Sequence, residues 1–113
     1  MRYESLDVWK KSFSLSLFVY QTFAALRDFG LKDQMCRSAV SVPSNIAEGM
    51  ERAGNAEKRY FLNVAKGSCA EVRTQLMVGQ EIEYMDAACA ALWIEETREL
   101  SRMLTGLINR ITE

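Results

Sequence analysis

The stretch FGLKDQMCRSAVSVPSNIAEGMER, residues 29–52, decides the fold of this chain. Its apolar residues recur at helical spacing, at Met35, Ala39, Val42 and Ile46. Pro43, the only proline of the chain, falls inside this pattern. Proline has no backbone N–H and crowds the carbonyl four residues before it, which here belongs to Ala39. We therefore expect a helix that is kinked near Pro43.

Polar residues follow Pro43 directly, with Ser44, Asn45 and Glu48 beside the apolar positions. Such groups can satisfy backbone carbonyls that a kink sets free, or can present a ligand site. The pattern favours the structural role, because one carboxylate without a histidine or a second acid is a poor catalytic set.

Three further helices are predicted around this one. The first covers about residues 5–26, with Ser5 as its N-cap, and Gly30 is expected as its C-cap. The central helix then runs from Lys32 to Met50. The first helix has an apolar seam that we expect to face the core, formed by Leu6, Trp9, Phe13, Leu17, Tyr20 and Ala24.

The second half of the chain predicts two long helices. The third helix covers about residues 56–83 with Asn55 as N-cap, and the fourth covers about residues 87–112 with Asp86 as N-cap. The core seam expected on the third consists of Phe61, Ala65, Ser68, Val72, Gln75, Gly79 and Ile82. The face expected on the fourth includes Leu92, Glu96, Leu100, Met103, Leu107 and Ile111.

Short connections between these helices predict one all-α domain over residues 1–113, an up-down-up-down antiparallel four-helix bundle. The hydrophobic content of 49% is sufficient for a core. No apolar run reaches the roughly 18–20 residues that span a bilayer. We expect a cytoplasmic protein that has no membrane partner.

The absence of histidine argues against enzymatic function. It excludes Ser-His-Asp and Cys-His pairs, HExxH zinc sites and the Glu-x-x-His pairs of di-iron bundles. Cys36, Cys69 and Cys89 lack metal-type spacing and are interpreted as small hydrophobic residues in a reducing compartment. We predict no catalytic residue, no metal, no cofactor and no small-molecule substrate.

A basic stripe is spaced by seven residues and consists of Arg52, Arg59, Lys66 and Arg73. The last three share one face of the third helix, which we expect to point outward. A row of cations could follow the phosphates of RNA or DNA. The alternative, which we favour, is a solvated helix back or a set of salt bridges with the acidic fourth helix of a neighbouring copy.

Two further expectations concern packing. Arg37 and Glu71 are predicted to form a buried or half-buried ion pair between the second and third helices. The first and third helices carry more apolar residues than one face of a bundle requires, and this excess predicts self-association. These residues are Phe18, Val19, Phe23, Leu62, Cys69 and Leu76.

Three segments carry a family resemblance: YESLDVWKKS, FGLKDQMCRSAVSVPSNIAEG and FLNVAKGSCAEVRTQL. They resemble the bacterial four-helix-bundle family of 23S rRNA-intervening-sequence proteins. The central block matches at Phe29, Gly30, Leu31, Gln34, Arg37, Ala39, Ser41, Val42, Pro43, Asn45, Ile46, Ala47, Glu48 and Gly49. The flanking segments match at Leu6, Val8, Trp9, Phe61, Leu62, Ala65, Gly67, Ser68, Glu71, Gln75 and Leu76.

The resemblance implies a homo-oligomer, expected as a ring of five, without catalytic activity. A related accessory protein of diversity-generating retroelements is basic and associates with nucleic acid and reverse transcriptase. This chain departs from the pattern at Cys36, which replaces the first of two arginines, and at Ser38, which replaces an alanine. We therefore expect a homo-oligomeric assembly or macromolecule-binding module, with weak nucleic-acid binding as the alternative function.

Overall fold

The computed structural model describes residues 2–111 and confirms the all-α four-helix bundle. The helices are α1 (Asp7–Thr22), α2 (Phe29–Met50), α3 (Asn55–Glu81) and α4 (Ala87–Arg110). A short 3-10 turn, Tyr3–Ser5, precedes α1, and the structure describes no strand between residues 2 and 111. The predicted end of the fourth helix at Thr112 lies outside the described residues.

Acidic side chains cap two of the helices. The Asp86 carboxylate accepts a hydrogen bond from the Cys89 backbone N–H at 3.0 Å, which confirms the predicted N-cap of α4. Asp28 accepts from the Leu31 N–H at 3.2 Å and starts α2 at Phe29, three residues earlier than expected. Gly30 therefore lies in the first turn of α2, and its predicted role as the C-cap of the first helix is wrong.

The predicted caps of α1 and α3 are also wrong. Ser5 lies in the 3-10 turn, and Leu6 occupies the N-cap position of α1 without a side-chain hydrogen bond. Asn55 is the first helical residue of α3, and Gly54 precedes it as N-cap. Both differences are displacements of one residue, the usual uncertainty of a helix boundary.

The helices pack in chain order around one core in a bundle of 45 × 22 × 20 Å. The α2 helix packs between α1 and α3, and α3 also packs on α4. The remaining side, between α1 and α4, is closed by the stacked rings of Phe18 and Trp93, whose centroids are 4.2 Å apart. An ion pair between Lys11 and Glu96, at 2.6 Å, joins the same two helices.

The face of α1 that meets the core differs from the prediction. The structure buries Val8, Leu15, Val19 and Phe23 together with Ser12 and Ser16. Four members of the predicted seam are instead exposed: Phe13 at 45%, Leu17 at 46%, Tyr20 at 50%, and Ala24. Because α1 is apolar on more than one face, helical spacing alone could not show which face the other helices cover.

The core face of α3 is rotated in the same way. Ala65, Ser68, Val72 and Gly79 are buried as predicted, but Phe61 and Gln75 are only half-buried and Ile82 is exposed. Leu62, Cys69 and Leu76 are completely buried in the bundle, so the prediction that they form excess surface is wrong. The buried residues of α4 are Ala90, Ile94, Thr97, Leu100 and Leu104, whereas Leu92 is exposed.

Candidate functional site

Pro43 lies inside α2, which continues from Phe29 to Met50 without interruption. Because proline has no N–H, the Ala39 carbonyl lacks its helical donor. The Ser16 hydroxyl of α1 donates to this carbonyl at 2.9 Å, in the interior of the bundle. This hydrogen bond connects α1 to α2 near Pro43. Sequence reasoning missed Ser16 because no local pattern in α1 indicates a hydrogen-bond partner in α2.

The polar residues near Pro43 connect α2 to α3. Asn45 donates from Nδ2 to the Ser41 carbonyl oxygen at 2.8 Å and to Ser41 Oγ at 2.9 Å. The hydroxyls of Ser41 and Ser68 are 2.8 Å apart and share a hydrogen bond. One turn earlier, Gln75 Nε2 donates to Ser38 Oγ at 3.2 Å. These contacts give Asn45 the structural role that the sequence favoured.

Gly49 ends this polar segment and brings α2 and α3 together. A Cβ atom built on Gly49 would lie 3.1 Å from Phe61 Cβ and 3.2 Å from the Lys58 carbonyl oxygen. Both contacts are tighter than an ordinary van der Waals contact, so a side chain at this position would require the α3 backbone or Phe61 to shift by a few tenths of an ångström.

Glu48 is exposed and pairs with Arg52 at 2.7 Å. Arg52 also approaches Glu57 at 3.8 Å, and its guanidinium lies 4.8 Å from the centre of the Phe61 ring. The Arg52 side chain therefore links the end of α2 to the start of α3.

The predicted ion pair between Arg37 and Glu71 does not form within the chain. Both residues are exposed, and the structure shows no ion pair for either of them among residues 2–111. The link expected from them is provided by the serine and glutamine contacts described above.

Arg59 and Arg73 of the basic stripe contact α4, so the expectation that this face of the third helix points outward is wrong for these two residues. Arg73 donates from Nε to Thr97 Oγ1 at 3.0 Å and from Nη2 to Ser101 Oγ at 2.8 Å. Arg59 donates to the Ile111 carbonyl oxygen at 3.2 Å, and Lys66 between them is half-buried. Two of the cations therefore serve the α3–α4 contact.

The described residues contain no group of three or more Cys, Asp or Glu side chains placed to hold a metal ion. All three cysteines are free. Burial raises the pKa of the Cys69 thiol, which donates to the Thr97 carbonyl oxygen at 3.2 Å. Partial burial likewise raises the pKa of Cys36. A raised thiol pKa reduces the nucleophilic thiolate form.

An apolar ridge runs along the outside of α1 and is formed by Trp9, Phe13, Leu17 and Tyr20. The rings of Trp9 and Phe13 stack with their centroids 5.0 Å apart. The other two members are about half exposed. The exposed apolar surface therefore lies on the face of α1 that was assigned to the core, whereas Val19 and Phe23, which were predicted to be surplus, are buried.

A shallow groove between α2 and α3 lies on another side of the bundle. Its lining includes Leu31, Gln34, Gly67, Ala70, Glu71 and Val78. A Cβ atom built on Gly67 would meet no atom within 4 Å, so the space beyond this glycine is open. Among the described residues that line the groove, Glu71 alone is charged.

Comparison with known proteins identifies a matching family and a similar solved structure. The family model of the 23S rRNA-intervening sequence protein matches residues 4–106. A solved structure from Bacteroides thetaiotaomicron, described as a protein with unknown function from the S23 ribosomal protein family, has the same fold with a TM-score of 0.84. It is 22% identical, and the match covers 89% of this chain and 97% of that one. No match was found among curated proteins. No helix within residues 2–111 is long and apolar enough to cross a membrane.

Proposed function

Because this chain belongs to the 23S rRNA-intervening sequence protein family, we propose that it is a non-enzymatic assembly module. It self-associates through the α1 ridge, and the assembled surface binds another macromolecule. The ring of five copies, implied by the resemblance, and the cytoplasmic location, expected because the sequence has no apolar run long enough to span a bilayer, are parts of this proposal.

The exposed ridge is the observation that carries the proposal. Phe13, Leu17 and Tyr20 lie on consecutive turns of α1 and are 45–50% exposed. Contiguous apolar surface is uncommon on monomeric proteins and is typical of interaction sites. Aromatic residues such as these are also enriched in protein interfaces.

The chemistry of the described residues gives no comparable support for catalysis. The polar side chains near Pro43 are used in helix contacts, and Glu48 is paired with Arg52. The thiol of Cys69 is buried and its pKa is raised. An assembly role explains the ridge without requiring any of these groups to react.

Light scattering on wild type and two variants tests the proposal. We expect wild type at micromolar concentration to have a mass several times that of the 12.9 kDa chain. Leu17→Glu places a charge on the ridge and should give a folded monomer. Leu92→Glu is the matched control, because Leu92 is also exposed but lies on α4. A monomeric wild type, or equal loss of assembly in both variants, would contradict the proposal.

Nucleic acid is the alternative partner, through Arg52, Arg59, Lys66 and Arg73. Lys66 continues this row, is half-buried and forms no hydrogen bond to α4 within the described residues. Its ammonium group therefore supports a weak contact with phosphate. We expect retention on RNA or DNA only at low salt. Alanine replacement of Arg59, Lys66 and Arg73 together should abolish it, and Lys66→Ala alone should reduce it with an unchanged melting temperature. Unchanged retention in the triple variant would exclude this role.

A further inference from the structure

The α1 ridge and the α2–α3 groove differ in the size of the side chains that they present. The ridge presents bulky side chains such as Phe13 and Leu17, each almost half exposed. The groove contains the small residues Gly67 and Ala70, with open space beyond Gly67. Close helix packing places large side chains of one surface into depressions of the other.

The charges beside the two surfaces are also complementary. Tyr20 of the ridge lines a cleft between α1 and α2 together with Lys32, Asp33 and Arg37, so cations outnumber the acid there. The charge of the groove comes from Glu71. Arg37 and Glu71 are both exposed, and neither forms an ion pair within residues 2–111. Opposite charges at the edges of two surfaces favour their association.

We infer that the α1 ridge of one copy of this chain docks into the α2–α3 groove of a second copy, with Arg37 of the first copy beside Glu71 of the second. This inference rests on the self-association proposed above and adds the surface that receives the ridge. The pair that the sequence suggested within one chain is then formed between two chains.

This mode of contact is head-to-tail, because the ridge and the groove are different surfaces of the same molecule. Each added copy leaves one ridge and one groove free, so assembly continues until a ring closes or a filament grows. A ridge-to-ridge contact would instead join two copies by a two-fold axis and leave both grooves open.

Complementation between two disabled variants tests the inference. Leu17→Glu disables the ridge and leaves the groove intact, whereas Gly67→Arg fills the groove and leaves the ridge intact. Each variant alone should be monomeric by light scattering, and an equimolar mixture should form a one-to-one dimer of twice the monomer mass. Gly106→Arg on α4 is the control for Gly67→Arg, because Gly106 also has open space beyond it. This control should assemble like wild type, and circular dichroism should show that all variants are folded.

The outcomes separate the two proposals. A monomeric wild type removes the basis of both. An assembled wild type with an equally assembled Gly67→Arg variant overturns the docking of the ridge into the α2–α3 groove and leaves self-association standing.

A charge exchange tests the orientation of the docked copies. Arg37→Glu and Glu71→Arg should each weaken association severalfold at low salt, and the double variant should recover most of that loss. Mixing the two single variants should also restore association, because the new carboxylate at position 37 of one chain then meets the new guanidinium at position 71 of the other. A pair within one chain could not be restored by mixing. Absence of recovery in both experiments would overturn the pairing of Arg37 with Glu71.

Discussion

At the scale of single residues, Ser16 completes the hydrogen bonding of a helix to which it does not belong. Its hydroxyl donates to the Ala39 carbonyl, which Pro43 leaves without a helical donor. Buried carbonyls without a partner destabilise the folded state. The proline in α2 and the serine in α1 therefore act as a pair, although 27 positions separate them in the sequence.

A double-mutant cycle tests this pair. Ser16→Ala should lower the free energy of unfolding by about 1–2 kcal/mol, because the Ala39 carbonyl loses its donor. In a Pro43→Ala background the N–H of residue 43 can donate instead, so the same change should cost about half as much or less. Urea unfolding of the four proteins gives the coupling. Strictly additive losses would contradict the pairing.

The raised pKa of Cys69 predicts that the stability of the folded protein depends on pH. Burial is the main cause that raises the pKa of its thiol, while Ser101 and Arg73 act in the opposite direction. An exposed thiol in the unfolded chain ionises near pH 8.5, but the folded thiol keeps its proton to higher pH. Stability from this group is therefore complete below about pH 8.5 and falls as the pH rises towards the folded pKa.

Urea unfolding at pH 7, 8, 9 and 10 checks this direction. Above pH 8.5 the free energy of unfolding of wild type should fall more steeply than that of Cys69→Ala, by at most about 1.4 kcal/mol per pH unit. The alanine variant should be less stable at pH 7, since it leaves a cavity, but should have the flatter profile. Parallel profiles would show that Cys69 does not titrate differently in the two states.

At the scale of helices, the sequence predicted that each helix exists but not always which face it buries. The α4 start was correct because Asp86 is a local cap whose partner is three residues away. The rotation of α1 was wrong because both of its faces are apolar. The basic stripe was likewise regular in sequence, but Arg73 faces Thr97 and Ser101 of α4.

Gly49 controls the distance between α2 and α3. Gly49→Ala places a methyl group 3.2 Å from the Lys58 carbonyl oxygen, which belongs to the helix backbone and cannot easily move. We expect a loss of about 1–2 kcal/mol despite the better helix propensity of alanine. The melting temperature should fall by several degrees.

Gly106→Ala is the matched control for Gly49→Ala. It lies in α4 with no atom within 4 Å of the added Cβ, so only the propensity gain applies. This variant should be more stable than wild type by about 0.5–1 kcal/mol. Equal effects at the two glycines, measured by thermal unfolding, would show that the close approach at Gly49 is unimportant.

At the scale of the whole molecule, the bundle is closed by the contact between its first and last helices. Phe18 and Trp93 stack with an interplanar angle of 9°, and Lys11 pairs with Glu96 beside them. This contact joins segments that are about 75 positions apart. Closing a loop of this length costs more conformational entropy than forming a contact between consecutive helices.

Trp93→Ala should open this side of the bundle. We expect a loss of about 2–4 kcal/mol, reduced from that of a fully buried tryptophan because Trp93 is half-buried. Native-state hydrogen exchange should show that α1 amides lose more protection than those of α2 and α3. Leu92→Ala, next to it but exposed, is the control and should change little. A uniform loss of protection would contradict a separate opening of α1.

The sequence by itself determined the number and type of the helices, the cap of α4, the position of Pro43 and the family pattern. These features depend on residues within one or two helical turns, so local spacing is sufficient to predict them. The tertiary structure decided which face of α1 is covered, that Ser16 serves Ala39, and that Arg37 and Glu71 remain apart within the chain. Such choices depend on how distant helices pack around a common core, because a helix with two apolar faces fits its own sequence pattern equally well in either rotation.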